Sequence, residues 1–230
     1  FDIHTGGEDH ISVHHTNEIA QSEAATGKKF VNYWLHGAFL LSKGEKVSKS
    51  TGGLYTIAEL EKLGYPPQSY RYLCLLTHYR KPLNFTLENL EAAKTAYERI
   101  KRKVIELKKE KTKGKDLTKD YQKQFDKAIE DDLNMPKAIQ IFHEALDSKD
   151  FASEKKLAIL EKFDEVLGIG VKDMKEEKLS LPSEIKSLIE KRESARKSKN
   201  WKLADALRDK IKSLGFSLED SPEGVKANKI

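Results

Sequence analysis

The sequence predicts a mostly α chain: a short α/β start, then an antiparallel helical bundle, then a small C-terminal helical module. Three observations predict it. Apolar residues recur at intervals of three and four over long stretches, best seen in Leu90, Ala93, Tyr97, Ile100, Val104 and Leu107. Capping residues and glycines bracket those stretches as helix starts and stops. Strand-like segments broken by glycine are confined to the beginning of the chain.

That beginning reads as follows. Phe1-Asp2-Ile3-His4 is a short strand running into Thr5-Gly6-Gly7-Glu8-Asp9. A lone first strand needs neighbours to pair with, so the sequence is expected to begin inside a domain. Strands of an open α/β sheet end in turns where ligands bind. Gly6 and Gly7 let a backbone approach a sugar or phosphate, and Asp9 can accept from ribose hydroxyls. From about His14 the pattern turns helical, and the i,i+4 spacing puts His14 and Glu18 on one face. An imidazole and a carboxylate one turn apart supply half of a tetrahedral zinc site, or simply a surface pair.

Residues 30–41 are aromatic and apolar enough for buried strand, turning at Gly37 into a second strand. This delivers the chain to Glu45-Lys46-Val47-Ser48-Lys49-Ser50-Thr51-Gly52-Gly53, where two lysines and two serines sit among glycines. Such a loop can converge ammonium and hydroxyl groups on an anion. An exposed polar hairpin has the same composition.

Thr56-Ile57-Ala58-Glu59 has capping-box form, opening a helix to about Leu63 that stops at Gly64. A second helix, from about Gln68 to His78, is expected to carry Tyr72, Leu75, Leu76 and Tyr79 inward, with Cys74 in the core. Thr86 caps the long helix that bears the six-residue stripe. Residues 111–115 are a polar linker. Tyr121, Phe125, Ala128 and Ile129 mark the next helix. Asn134 caps another, with Pro136 in its first turn and Ile139, Phe142 and Leu146 inside. Leu157, Leu160, Phe163 and Leu167 mark a fourth, closed by Gly168.

Residues 171–180 are charged and aperiodic, hence a linker. Ile185, Leu188 and Ile189 begin one further helix. Leu203, Leu207, Ile211 and Leu214 line another that ends at Gly215, and the tail holds a turn at Asp220-Ser221-Pro222-Glu223-Gly224.

Charged residues make up 34% of the 230 and apolar ones 38%, so much helix surface must be solvated. No run approaches the roughly 18 apolar residues of a membrane span. Phe1 to His4 shows neither the basic leader nor the apolar core of a signal peptide. A single cysteine excludes an internal disulfide and fits a reducing, cytoplasmic setting. The net charge of +5 is unevenly placed. Residues 98–127 carry twelve Lys/Arg against six Asp/Glu, and residues 181–230 twelve against eight. Basic helix faces suit a polyanion such as RNA, though a solvated face with excess lysine has the same composition.

Taken together, Asp2-Ile3-His4-x-Gly6-Gly7-x-Asp9, His14-His15-x-Asn17-Glu18-Ile19-Ala20-Gln21-Ser22, Tyr33-Trp34-Leu35-His36 and Lys46-Val47-Ser48-Lys49-Ser50 stand in an informative order. Asp131-Asp132-Leu133-Asn134-Met135-Pro136 follows, then Ala195-Arg196-Lys197-x-Lys199-Asn200-Trp201 and Ala204-Asp205-x-x-Arg208-Asp209. The series resembles the cysteinyl-tRNA synthetases, class I aminoacyl-tRNA synthetases, over essentially the whole chain.

The resemblance implies a remnant of a Rossmann-like catalytic domain at 1–50, a connecting stem-contact region at 51–85, a helical bundle at 86–175 and an anticodon-recognition module at 181–230. It makes Lys46 to Ser50 the KMSKS signature, with valine in the usual methionine place. Lys46 and Lys49 then act on the ATP phosphates as pyrophosphate leaves, with Ser48, Ser50, Gly6, Gly7 and Asp9 completing the ATP site. His14 and Glu18 align with zinc ligands, and His4 with a histidine at the base of the amino-acid pocket. Arg196, Lys197, Lys199 and Trp201 fall in the tRNA-reading module, Trp201 either stacking near the anticodon or packing in the hairpin core.

Implied partners are tRNA for cysteine, ATP with Mg2+, L-cysteine and zinc, in a cytoplasmic monomer. The family's two cysteine zinc ligands and its HIGH motif lie upstream of the stretch matching Phe1. The expectation is therefore the C-terminal half of the enzyme, inactive alone and completed by the N-terminal half. Alternatives are a non-catalytic tRNA-binding fragment, or a cysteine ligase acting on an amino-sugar.

Overall fold

The structure is a computed structural model and describes residues 1–42, 45–46, 55–176, 182–221 and 224–229. It divides into two compact units, Phe1–Lys175 and Glu176–Ile230.

The first unit opens with β1 (Ile3–Gly7), followed by helix α1 (His14–Thr26) and β2 (Tyr33–Gly37). Strands β1 and β2 pair in parallel, with His4 opposite Trp34 and Gly6 opposite His36. A helix between two parallel strands is the crossover such pairing requires. Strands β3 (Leu40–Ser42), β4 (Glu45–Lys46) and β5 (Leu83–Phe85) form a second small sheet in the order β4-β3-β5. The long α1 ends at Gly27 in a left-handed conformation, φ 64°.

Helix α2 (Ile57–Lys62) starts from the expected capping box. The Thr56 hydroxyl accepts from the Glu59 N–H at 3.2 Å, and the Thr56 N–H donates to the Glu59 carboxylate at 2.7 Å. Helix α3 (Pro67–Leu75) is shorter than the sequence suggests. It buries Tyr72 and Leu73, whereas Leu76 is exposed and Tyr79 lies beyond its end. Cys74 is only half-buried, at the edge of the core rather than within it. Leu76 ends the helix as its C-cap, so the periodicity stops one turn earlier than the apolar run does.

The bundle comprises α4 (Leu87–Lys109), α5 (Thr118–Glu130), α6 (Met135–Asp147) and α7 (Ser153–Leu167). All six stripe residues of α4 are buried. They meet Phe125 and Ala128 of α5, Ile139 and Phe142 of α6, and Leu160, Phe163 and Leu167 of α7 in one core. The Phe125 and Phe163 rings stack at 4.0 Å. Each such side chain, fully withdrawn from water, contributes on the order of 1.5–3 kcal/mol. Thr86 and Asn134 cap α4 and α6 as expected, accepting from the N–H groups of Asn89 and Lys137.

Two supposed linkers are held against this bundle by hydrogen bonds. Thr112 N–H donates to Ser153 Oγ at 3.0 Å and Lys115 N–H to the Asp150 carbonyl at 2.7 Å, so residues 111–115 are strapped to the start of α7. Gly114 is required there, because a Cβ would stand 2.6 Å from the Asp150 carbonyl oxygen. Val171 and Met174 are buried, contrary to a linker over 171–180. The Asp164 carboxylate accepts from the N–H groups of Ile169, Gly170 and Val171, and Lys108 Nζ donates to the carbonyls of Val171, Lys172 and Met174. These polar side chains order an aperiodic segment by satisfying its backbone.

The second unit pairs α8 (Ser183–Lys197) with α9 (Trp201–Ser213) and then forms an antiparallel hairpin, β6 (Phe216–Ser221) and β7 (Gly224–Lys229). It is therefore not all-helical. Ile185, Leu188, Ala195, Ala204 and Ile211 fill its interior, while Leu203 and Leu214 are exposed.

Candidate functional site: a histidine-rich cluster beside Glu18

Strand periodicity brings His4 and Gly6 to one face of β1, and Trp34 and His36 to one face of β2. Helix α1 lays His14, His15 and Glu18 against that strand pair. His4 Nε2 lies 3.0 Å from Glu18 Oε2, His14 Nε2 3.5 Å from Glu18 Oε1, and His15 Nε2 4.0 Å from Glu18 Oε2. His15 is the buried member, 3% exposed, and its Nδ1 sits 2.8 Å from His36 Nε2. Trp34 packs between these rings: parallel to His36, 4.8 Å from His15 and edge-on to His4 at 4.9 Å.

Burial pushes the His15 pKa down, with the neighbouring His4 acting in the same sense. A neutral imidazole is the form that binds a metal. The glycines serve this packing. A Cβ on Gly6 would stand 2.6 Å from His15 Cε1 and 2.9 Å from His10 Nδ1, and one on Gly7 would stand 2.5 Å from Asp9 Oδ1.

Ligand atoms of His4, His15 and Glu18 all lie within 4.8 Å of one another. Glu18 Oε2 is buried and meets no donor in hydrogen-bond geometry among the described residues. A carboxylate oxygen so placed, facing imidazole nitrogens, fits a cation of the zinc type. The sequence pointed to His14 through its i,i+4 spacing, and His14 does reach Glu18. His15, at i,i+3, was passed over. The adjacent His-His pair was its only signal, and burial beneath Trp34 is a property of the fold.

Lys46 lies in β4, its backbone opposite Leu41. Ser48, Lys49 and Ser50 lie outside the described residues. Asp9 sits in a single turn after β1, at residues Glu8–His10. In the second unit Arg196 and Lys197 close α8, where positive charge suits the helix C-terminus. Lys199 takes φ 59° in the connecting turn. Trp201 begins α9 at 58% exposure, outside the buried interior of the second unit.

Residues 1–95 match the family model for the class I (C) tRNA synthetase catalytic domain, and residues 180–226 that for the cysteinyl-tRNA ligase anticodon binding domain. Cysteine–tRNA ligase 1 of Burkholderia lata is 40% identical over 225 residues, 97% of this chain and 47% of its own length. The cysteine–tRNA ligases of Oenococcus oeni and Methanosarcina mazei are each 40% identical, over 100% and 99% of this chain and 52% of their own lengths. A solved structure, the LeuRS of Agrobacterium radiobacter K84 in its ternary complex with tRNA and LeuAMS, covers 74% of this chain and 23% of its own at 14% identity and TM-score 0.49. The chain spans about half the length of the curated relatives it matches. With a synthetase catalytic segment at one end and a cysteinyl-tRNA ligase anticodon segment at the other, the chain is similar over its whole length to the C-terminal half of cysteine–tRNA ligases.

Proposed function

We propose that the chain works as the C-terminal half of an ATP-dependent cysteine–tRNA ligase, which forms cysteinyl-adenylate and transfers cysteine to its tRNA. The observation that carries this is the pairing, on one chain, of a catalytic-domain match over 1–95 with an anticodon-binding match over 180–226. The second of these weighs against a ligase acting on an amino-sugar, which has no anticodon to read.

The division of labour follows the sequence. Lys46 and Lys49 neutralise the phosphates as pyrophosphate departs, an electrostatic contribution to the transition state. Ser48, Ser50, Gly6, Gly7 and Asp9 complete the nucleotide site, and His4 with Trp34 walls the amino-acid pocket. Glu18, with His4, His14 and His15 around it, holds zinc. Bound zinc supplies a soft site that prefers a cysteine thiolate to a serine hydroxyl.

An N-terminal half like that of the relatives is the natural partner of the β1-β2 pair. Parallel strands are stable when both faces are covered, and here Phe1, Ile3 and Tyr33 are 76%, 64% and 72% exposed. No described helix is long and apolar enough to cross a membrane. Binding of tRNA tests the reading. The purified chain is expected to shift a cysteine-accepting tRNA transcript at lower concentration than a non-cognate one, with affinity falling steeply in salt. Equal affinity for both transcripts would sink it.

A further inference from the structure

The lysine and arginine excess of residues 98–127 has a focus. A groove of about 520 Å³ runs along α4. Ala92, Ala96, Arg99 and Lys103 form its long wall, at helical spacings of four, three and four. At about 1.5 Å per residue this wall extends some 16 Å. Tyr72 of α3 and His143 of α6 complete the groove, with Asp147 of α6 at the rim.

The charges are unequally matched. Lys103 Nζ is ion-paired with Asp147. Arg99 and Arg102 are exposed and make no ion pair or hydrogen bond among the described residues. Ala92 and Ala96 line the same groove with small side chains that leave a polymer backbone room to approach.

His143 supplies a neutral donor. Burial pushes its pKa down, and the nearby positive charges of Lys103 and Arg99 act in the same direction against Asp147. Its Nε2 lies 2.8 Å from the hydroxyl of the buried Tyr72, for which it is the hydrogen-bond partner. In the tautomer whose Nε2 accepts that O–H, the neutral ring carries its proton on Nδ1. Nδ1 has no partner among the described residues and is not one of the buried unpartnered atoms. Two free guanidinium groups and a neutral N–H make an anion site that needs no counter-charge of its own.

We propose that this groove holds consecutive backbone phosphates of the bound tRNA, through Arg99 and Arg102, with His143 donating to a phosphate oxygen. The assignment rests on the tRNA-binding reading above and adds to it a contact surface on the bundle, separate from the anticodon module.

The test uses the whole chain. Arg99→Gln/Arg102→Gln is expected to weaken tRNA binding about tenfold and to reduce the slope of log affinity against log salt by about two, the loss of two phosphate contacts. Both side chains are exposed, and an unchanged thermal transition checks that the fold is intact. Lys119→Gln/Lys123→Gln, on the exposed surface of α5, is the matched-charge control and should leave affinity within twofold. In the wild-type chain, adding tRNA should shift the His143 ring resonances.

Affinity and slope unchanged in the arginine variant, an equal loss in the control, or a stationary His143 overturns the groove while leaving tRNA binding in place. Inorganic phosphate moving His143 where tRNA does not would make it a free-phosphate pocket instead. A wild-type chain that binds no tRNA at all removes both readings.

Discussion

Asp132 and Arg80 form a two-pronged pair, Arg80 Nε donating to Asp132 Oδ2 at 2.5 Å and Nη2 to Oδ1 at 3.2 Å. Asp132 does so from φ 52°, followed by Leu133 at φ 56°, both unusual for non-glycine residues. It also accepts from the Tyr79 hydroxyl at 2.6 Å, and the Tyr79 carbonyl in turn accepts from Ala38 N–H at 2.8 Å. The turn between α5 and α6 is thus tied to the chain that leaves β2 for β3, β4 and Lys46. The Arg80 guanidinium, then the Tyr79 hydroxyl, hold the Asp132 carboxyl at about 2, against an ordinary value of 3.8. A folded-state pKa below the unfolded value stabilises at pH above 3.8 and loses that contribution as pH falls from 3.8 towards 2. Asp132→Asn should therefore lower thermal stability at neutral pH, with the gap to wild type closing across that acid window. A gap that stays constant down to pH 2 would show that the carboxylate's charge is not what matters. Both side chains are largely exposed, so added salt should narrow the gap.

Gly168 closes α7 at φ 60°, and a Cβ there would stand 2.9 Å from Arg71 Nε. That nitrogen donates to the Leu167 carbonyl at 2.5 Å, capping the helix end. Gly168→Ala imposes left-handed backbone on an L side chain and displaces the cap. Urea denaturation should show a loss of about 1–3 kcal/mol. A loss under about 0.5 kcal/mol, the range of neutral surface changes, would mean that Arg71 is not a cap.

His4, His15 and Glu18 together offer three donors, an open metal site rather than a closed tetrahedral one. After dialysis the isolated chain should carry well under one zinc per molecule. Glu18→Gln should remove what remains, since it takes away the one anionic donor of the group. Stoichiometric zinc retained by the wild-type chain, or by Glu18→Gln, would contradict this donor set.

Trp201 stands in solvent beside Lys199 at the start of α9. Trp201→Ala should change stability by no more than about 0.5 kcal/mol. Affinity for tRNA should fall by about 1–3 kcal/mol, the range for an aromatic that stacks on a base. A lower melting temperature with unaltered affinity would return the residue to a packing role.

The bundle was legible because its signals are local. The α4 stripe, the Thr56–Glu59 box, the Asn134 cap and Gly168 each reside within one or two helical turns, and each is where the sequence put it. What went unread depends on distant partners. Leu83-Asn84-Phe85 becomes β5 only because β3 lies alongside in parallel. Val171 and Met174 are buried because Lys108, 63 residues away in sequence, and Asp164, in the last turn of α7, satisfy the backbone around them. In the tail a turn was seen, but not the strands it joins, whose alternation is too polar to announce a hairpin. Glu18 was found from spacing, and the choice among its histidines was not, since His4 and His15 reach it through the strand pairing of β1 with β2.

On the proposed reading, the chain carries part of a ligase active site and needs the rest of such an enzyme to work. Cysteine-dependent exchange of pyrophosphate into ATP measures this directly, with the 230-residue chain alone and after addition of the N-terminal half of a cysteine–tRNA ligase. The expected result is no exchange by the chain alone and exchange above either half alone when the two are combined. Exchange by the chain alone, or none from the combined halves after they form a complex, would contradict it.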